Sequence, residues 1–166
     1  MEKMNLDYEK LETFFIEHLH KIYCAKSHLL TRLPQILSYI HFPDLKETMV
    51  TSIESLRMEL SRMDLIYALI EEGYSDCAIE GLARFIEDAF SAIERQNADR
   101  RLRDMSILFY LQIIESVEMA SFQMLQMAAV RLANRQIGLL LKENYEQAKS
   151  NRTLLLLVAS KYITSG

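Results

Sequence analysis

The feature that most constrains the fold is an apolar stretch, residues 107–128, that contains neither proline nor glycine. Its apolar residues recur at helical spacing, which predicts a helix that is buried along one broad face. Two carboxylates, Glu115 and Glu118, lie near the middle of this stretch. Because a lone buried carboxylate is strongly unfavourable, the sequence predicts that these acids meet either a metal ion or a cation from another helix.

Helix-breaking residues are scarce along the chain, with 4 glycines and 2 prolines in 166 residues. This scarcity predicts a few long helices rather than many short strands. The length suits one core, so we expect a single domain over residues 1–166. Hydrophobic periodicity predicts an all-α, up-down four-helix bundle with one additional short helix. The expected helices cover residues 7–40, 45–72, 77–95, 107–128 and 136–162.

Capping and helix-breaking residues mark the expected helix ends. Asp7 is an N-cap candidate for the first helix, and Asp44 for the second. Gly73 is expected to end the second helix, and the Ser-Asp pair at residues 75–76 to cap the third. The most polar stretch, residues 95–104, is the expected loop before the apolar helix.

Charge and hydropathy argue against several classes of protein. The formal net charge is -4 and no basic patch with interleaved aromatics is present, so we expect no nucleic-acid partner. The N-terminal segment is charged and lacks an apolar centre, which argues against a signal peptide. No apolar run of about 18 residues is free of charge, so we expect no membrane span. These patterns together predict a cytoplasmic protein.

The cysteines and histidines lack the spacing of common catalytic or metal sites. Cys24 and Cys77 have no CxxC spacing, and we interpret them as small buried residues in a reducing compartment, not as a disulfide. Cys24 is four residues from both His20 and His28, but no activating loop or third group is evident. No HxxxH pair exists, so packing or surface roles are expected for the histidines. We therefore expect no catalytic residue.

Ionisable groups occur at mid-length in each of the four long helices. Lys26 interrupts the apolar stripe of the first helix, Glu59 lies beside that of the second, and Arg152 interrupts that of the last. With Glu115 and Glu118 from the apolar helix, these groups can lie at one level of the bundle core. Acids alone would favour a di-metal carboxylate site, but here two groups are cations.

Several segments resemble, in the same order, the YciF-like family of ferritin-like proteins. The segment HLHKIYCAKSHLLTRLPQI is similar to the family's first helix, where the wording is closer to LxDxYxAExQLLxALPxM. The segment IIESVEMASF resembles the signature VEHYEIAAY. Further resemblances lie in DLKETMVTSIESLRMELSRMD, CAIEGL and LLKENYEQAKSNRTLLLLV. The resemblance implies a ferritin-like bundle with a two-metal site held by carboxylates and a histidine or similar group.

The first two helices of this chain depart from the ligand set that the resemblance implies. The glutamate of the first helix is replaced by Lys26. The acid of the second helix falls on Ser55, with Glu59 one turn later at the other ligand-like position.

The last two long helices keep only part of the implied ligand set. Glu115 and Glu118 remain, but the histidine between them is Ser116. The acid of the last helix falls on Ala148, and the acid one turn later falls on Arg152. Most of the implied ligands are therefore missing.

Three functional hypotheses follow. The first is a non-enzymatic structural or interaction protein without a cofactor, in which internal ion pairs among Lys26, Glu59, Glu115, Glu118 and Arg152 replace the metal. The second is a di-iron or di-manganese protein that stores metal or handles peroxide through Glu59, Glu115 and Glu118. The third is a helical scaffold unrelated to ferritins. We favour the first, with the lysine and arginine stems either ion-paired inside or extended to the surface.

We also expect self-association, or binding to a further protein partner. The short helix and the first helix carry more apolar side chains than one four-helix core can bury, and large exposed apolar patches usually mark interfaces. We expect a homodimer that uses part of an outer face formed by Phe14, Phe42, Phe85, Phe90 and Ile93.

Overall fold

The computed structural model describes residues 4–73, 75–132 and 134–166, and within these ranges it contains helices and no strand. The expected all-α class, with four long helices and one short one, is confirmed. A short 3-10 helix joins the first two α-helices. The elements are α1 (Tyr8–Ile36), the 3-10 helix (Leu37–Tyr39), α2 (Pro43–Ile70), α3 (Leu82–Arg95), α4 (Arg100–Arg131) and α5 (Arg135–Thr164).

Contacts at one end of the bundle establish the helix directions. The backbone N–H groups of His41 and Phe42, between α1 and α2, donate to Asp104 near the start of α4. The ring of Phe42 also stacks on Tyr162, near the end of α5, with centroids 3.8 Å apart. Helices α2 and α4 therefore begin at the same end and run parallel, while α1 and α5 run the opposite way. Two successive long helices that run parallel must be joined by one long crossover.

Helix α3 forms that crossover and packs along α1. His28 Nε2 lies 2.7 Å from Glu87 Oε2, and Arg32 Nη2 donates to Glu94 Oε1 at 2.9 Å. Arg32 Nε also lies 3.4 Å from Glu87 Oε2. The crossover thus places the Glu87 carboxylate against two basic residues of α1.

The caps of the first two helices follow the sequence only in part. Asp7 caps α1 by accepting a hydrogen bond from the Lys10 backbone N–H at 2.8 Å, as expected. Asp44 is not the cap of α2, because the helix already begins at Pro43. Gly73 does not end α2 either. Glu71, with a left-handed φ of 56°, ends it two residues earlier.

Helix α3 begins at Leu82 instead of residue 77, because a disulfide to Cys24 holds Cys77 in a segment without helix or strand. The interpretation of both cysteines as free and buried was wrong: Cys24 is buried but Cys77 is exposed. The two cysteines are 53 residues apart in the sequence, so the sequence did not indicate that the chain after α2 returns to α1. Since disulfides persist in oxidising environments, the cysteines give no support to a reducing compartment.

The apolar core is divided into two clusters by a polar layer. One cluster includes Leu19 and Phe122, and the other includes Leu29 and Ile114. Each long helix crosses from one cluster to the other through this layer. The buried ionisable side chains at that level are Lys26, Glu59, Glu115 and Glu118.

The expected outer face is largely covered. Phe42, Phe90 and Ile93 are buried, so they were wrong as candidates for an exposed interface, while Phe14 and Phe85 are half-buried. The reason is that the crossover helix packs its apolar side onto the bundle, with Phe90 and Ile93 in the same cluster as the α4 side chains.

Helix α4 is long and apolar enough to cross a membrane, judged by length and composition alone. It packs along α5 and also contacts α1 and α3. Three acids on it, Asp104, Glu115 and Glu118, are buried. We therefore interpret α4 as the core helix of a bundle.

Candidate functional site

The centre of the polar layer is the fully buried ammonium group of Lys26. Its Nζ lies 2.7 Å from Glu118 Oε2 on α4 and also forms an ion pair with Glu59 Oε2 on α2. The Phe122 ring centroid is 5.5 Å from the same nitrogen. Lys26 points into the core because it occupies a position in the apolar stripe of α1.

The third carboxylate joins this group through an amide on α5. Asn151 Nδ2 lies 3.4 Å from both Glu59 Oε1 and Glu115 Oε1. All four long helices therefore contribute one or two side chains to the same layer. We call this set, Lys26, Glu59, Glu115, Glu118 and Asn151, the buried charge cluster.

Burial and charge imbalance shift the pKa values within the buried charge cluster. Burial raises the pKa of Glu59 to about 7, because Lys26 offsets the loss of solvation only in part and Glu118 adds repulsion. Burial, together with repulsion from Glu118, raises the pKa of Glu115 well above its ordinary value. Burial alone would lower the pKa of Lys26, but attraction to the carboxylates outweighs it and raises this pKa. Lys26 therefore stays charged, and proton uptake by Glu115 and Glu59 offsets the excess of negative charge.

The free space beside the buried charge cluster is small. A cavity of about 10 Å³ is lined by Lys26, Glu59, Glu115, Asn151 and Ser52, together with apolar side chains. This volume corresponds to roughly one water molecule. The cluster therefore has no room beside it for an organic substrate.

The side chains do not fit a two-metal carboxylate site. Such sites in bundles use a glutamate from each of two helices and a Glu-x-x-His pair from each of the other two. Here the ammonium of Lys26 bridges Glu59 Oε2 and Glu118 Oε2. These are the carboxylate oxygens that would have to face a metal ion. Within the described ranges, Glu59, Glu115 and Glu118 do not form a group with ligand atoms within 4.8 Å of one another.

The structure places four of the five ion-pair candidates together and excludes the fifth. Arg152 is exposed, so its expected core position was wrong, and Asn151 occupies the buried position instead. Adjacent residues differ by about 100° around a helix, so a shift of one position moves a side chain from core to surface. The backbone oxygen of Arg152 accepts a hydrogen bond from Gln112 Nε2 of α4 at 2.8 Å.

The positions that the resemblance assigned to lost ligands are small residues within the bundle. Ser55 and Ala148 are buried, and Ser55 Oγ accepts a hydrogen bond from Gln147 Nε2 at 3.1 Å. Ser116 is half-buried and donates to the backbone of its own helix, at Gln112 O. None of these three side chains contributes a carboxylate to the layer.

Sequence reasoning missed two buried amides in α5. Asn144 Nδ2 donates to the backbone oxygen of Glu59 at 3.1 Å, and its Oδ1 accepts from Arg62 Nη1 at 3.3 Å. Asn151 links Glu59 to Glu115. Asn144 could have been identified from the sequence, because it is an asparagine inside an apolar stripe. Asn151 could not, because its burial depends on how α5 is rotated about its axis.

Comparison with known proteins identifies a family and a shared fold. The profile of a family described as "Domain of unknown function (DUF892)" matches residues 10–165. The E. coli stress protein YciF has a structure with a TM-score of 0.81 and 22% identity, over 94% of this chain and 98% of that chain. YcfI of Rhodopseudomonas palustris, described as a candidate structural protein, has a TM-score of 0.79 and 20% identity, over 93% of this chain and 96% of that chain. At these identities the likeness to the two structures shows the fold alone. No curated protein matches the sequence.

Proposed function

The chain is a YciF-like member of the DUF892 family, and we propose that it is a non-enzymatic structural or protein-interaction bundle whose metal site has been replaced by internal ion pairs. The observation that carries this proposal is the ammonium of Lys26 between Glu59 and Glu118. Two buried carboxylates facing each other repel, and a cation between them restores charge balance without a metal.

The surroundings of the buried charge cluster support a role without catalysis. The adjacent cavity of about 10 Å³ leaves a substrate no access to Glu115 or Glu59. The descriptions of the two similar structures, a stress protein and a candidate structural protein, name no reaction. A rigid helical bundle that binds another protein chain agrees with these observations.

Metal analysis of the purified protein tests the proposal. The disulfide-bonded protein is incubated with Fe²⁺ or Mn²⁺, desalted and analysed for bound metal. We expect no stoichiometric iron or manganese, because a metal would have to displace the Lys26 ammonium. About two tightly bound equivalents per chain, the content of a di-metal site, would overturn the proposal in favour of a di-iron or di-manganese protein.

The variant Lys26→Glu is the matched comparison for this measurement. It replaces the ammonium by a carboxylate and leaves four acids at the same level, with Glu59, Glu115 and Glu118 unchanged. Bound iron or manganese in Lys26→Glu, with none in the wild type, is the result expected if the ammonium itself excludes metal. Binding by the wild type as strong as that of the variant would contradict this role for Lys26.

We further propose that the protein assembles as a homodimer through the exposed side of α4. Large apolar side chains stand exposed there, among them Phe109, Met124 and Met127. Val117 is also partly exposed and lies two helical turns from Met124 on the same face. A two-fold dimer uses the same patch on both copies, so one apolar helix face supplies both halves of the interface.

A further inference from the structure

A second group of potential ligands lies where the chain after α2 meets α1. His20 and Cys24 are one turn apart on α1, and Cys77 reaches them from the irregular segment before α3. One nitrogen or sulfur atom from each residue lies within 4.8 Å of the others. We call these three residues the His-Cys-Cys cluster. It lies outside the buried charge cluster and shares no residue with it.

The two nitrogens of the His20 ring have different surroundings. Nε2 faces the cluster, 3.4 Å from Cys24 Sγ and 2.8 Å from Ser75 Oγ. Nδ1 lies 3.3 Å from the hydroxyl of Tyr67 and 3.9 Å from Cys24 Sγ. Metal-binding histidines are usually held in this way, with one nitrogen on the metal and the other hydrogen-bonded to a neighbouring group.

From this geometry we propose that reduction of the Cys24–Cys77 disulfide converts the His-Cys-Cys cluster into a binding site for a zinc-like divalent cation. Its ligands are His20 Nε2 and the two thiolates. Nitrogen and sulfur donors of this kind are typical of zinc sites. The exposed position of Cys77 gives a solvated ion access to the cluster. Ser75 Oγ, 2.8 Å from His20 Nε2, or a water molecule is available as the fourth ligand.

The separation of the first two ligands already matches a tetrahedral site. Bond lengths of about 2.0–2.1 Å to nitrogen and about 2.3 Å to sulfur place the two ligand atoms roughly 3.6 Å apart around one zinc ion. The observed distance from His20 Nε2 to Cys24 Sγ is 3.4 Å. The His20 ring has to turn, because Cys24 Sγ is also 3.9 Å from Nδ1 and therefore lies beside the ring and not beyond Nε2. The sulfur of Cys77 has to move to roughly 3.8 Å from the other sulfur. Cys77 lies in an irregular segment without helix or strand, which can make this adjustment.

The reduction step is balanced by a dithiol reductant. Two electrons from the reductant break the Cys24–Cys77 bond, and two protons complete the two thiols while the reductant becomes a disulfide. On metal binding each thiol releases its proton to solvent, and the two thiolates neutralise the dication. The disulfide and the metal therefore exclude each other, since both use the same sulfur atoms.

Titration with Co²⁺ after reduction and removal of the reductant under anaerobic conditions tests the proposal. We expect one equivalent per chain, with a thiolate-to-cobalt charge-transfer band and the visible bands of a tetrahedral ion, both lost when Zn²⁺ is added. The disulfide-bonded protein is expected to show neither band. Absence of a charge-transfer band in the reduced wild type would overturn the proposal.

Variants separate the cluster from adventitious binding. His20→Ala and Cys77→Ser are expected to weaken Co²⁺ binding at least tenfold, because each variant removes one metal ligand. His18→Ala is the matched control, because His18 is a half-buried histidine of the same helix outside the cluster, and it is expected to bind like the wild type. Helical content by circular dichroism confirms that each variant is folded. A charge-transfer band that persists unchanged in Cys77→Ser would contradict the assignment, whatever the outcome for iron and manganese at the buried charge cluster.

Discussion

At the scale of single residues, the buried charge cluster sets one ammonium against three carboxylates, all removed from solvent. Such a group is stable only while its charges are matched, because an unpaired charge in the core has lost its hydration without compensation. Lys26 supplies the positive charge, and protons on Glu115 and Glu59 remove the excess negative charge. The consequences for stability are testable at individual positions.

Replacing Lys26 by methionine is expected to lower the free energy of unfolding by about 3–5 kcal/mol, the range for removing one partner of a buried ion pair. Methionine keeps an unbranched apolar stem but leaves Glu59 and Glu118 without their cation. Urea denaturation followed by circular dichroism measures the difference. Superimposable unfolding curves for the wild type and Lys26→Met would show that the ion pairs contribute nothing.

The matched control removes the charges together. The triple variant Lys26→Met, Glu59→Gln and Glu118→Gln is expected to lose less stability than Lys26→Met alone. Replacing all members of a buried ion pair by uncharged groups often changes the stability little, whereas leaving one charged member behind lowers the stability strongly. A triple variant less stable than the single one would favour a different account, in which shape and hydrogen bonding at this layer matter more than charge.

The pH dependence of stability has a definite sign at Glu115. Burial raises its folded-state pKa well above 4.5, so above that pH the folded chain binds a proton that the unfolded chain has lost. The stabilisation from this proton is complete below the unfolded pKa and is lost as the pH rises through the folded pKa. The slope is at most about 1.4 kcal/mol per pH unit.

The variant Glu115→Gln isolates this effect, because glutamine imitates the protonated acid at every pH. Its stability relative to the wild type is expected to increase as the pH rises from about 5 to about 8. Urea denaturation at several pH values measures the difference and cancels the titration of surface groups shared by both proteins. A constant difference over this range would mean that Glu115 titrates normally in the folded protein.

At the scale of helices, the end of one element is often completed by a side chain from another. The first N–H groups of α2 have no cap from their own segment. Asp104 of α4 instead accepts from the two backbone N–H groups just before the helix, those of His41 at 2.7 Å and Phe42 at 2.6 Å. A carboxylate also interacts favourably with the positive end of the helix dipole. This one side chain therefore fixes where α1, α2 and α4 meet.

Asp104→Ala is expected to lower the free energy of unfolding by about 1–3 kcal/mol, because it leaves buried backbone donors without an acceptor. Thermal or urea denaturation measures the loss. Asp99→Ala is the control, since Asp99 is an exposed aspartate that caps its own helix α4. A loss for Asp104→Ala no greater than that for Asp99→Ala would contradict a role for Asp104 in joining the helices.

At the scale of the whole molecule, the exposed face of α4 predicts association between two copies of the chain. Sedimentation velocity at micromolar concentration is expected to detect a dimer of the wild type. Met124→Glu is expected to be monomeric, because it places a charge on the apolar face that both copies would bury. Val50→Glu, an exposed apolar residue of α2, is the control and is expected to remain dimeric. A monomeric wild type would exclude this dimer.

The sequence by itself determined the helices and most of the polar layer. Helical periodicity and the scarcity of breakers suffice because each long helix must bury one stripe whatever its partners are. The same periodicity identifies Lys26, Glu59, Glu115 and Glu118, since an ionisable residue in or beside an apolar stripe is directed into the core. The class of fold and four of the five candidate charges are therefore local properties of the chain.

Only the tertiary structure decided which groups meet. The choice between Arg152 and Asn151 depends on a rotation of one residue, which is smaller than the uncertainty of a periodicity argument. The Cys24–Cys77 disulfide and the hydrogen bonds from the backbone of His41 and Phe42 to Asp104 join segments far apart in the chain, and such contacts depend on how the helices are arranged. The bridging position of Lys26 is of the same kind: helical spacing directs its ammonium inward, but only the packing of α2 and α4 places two carboxylates within its reach.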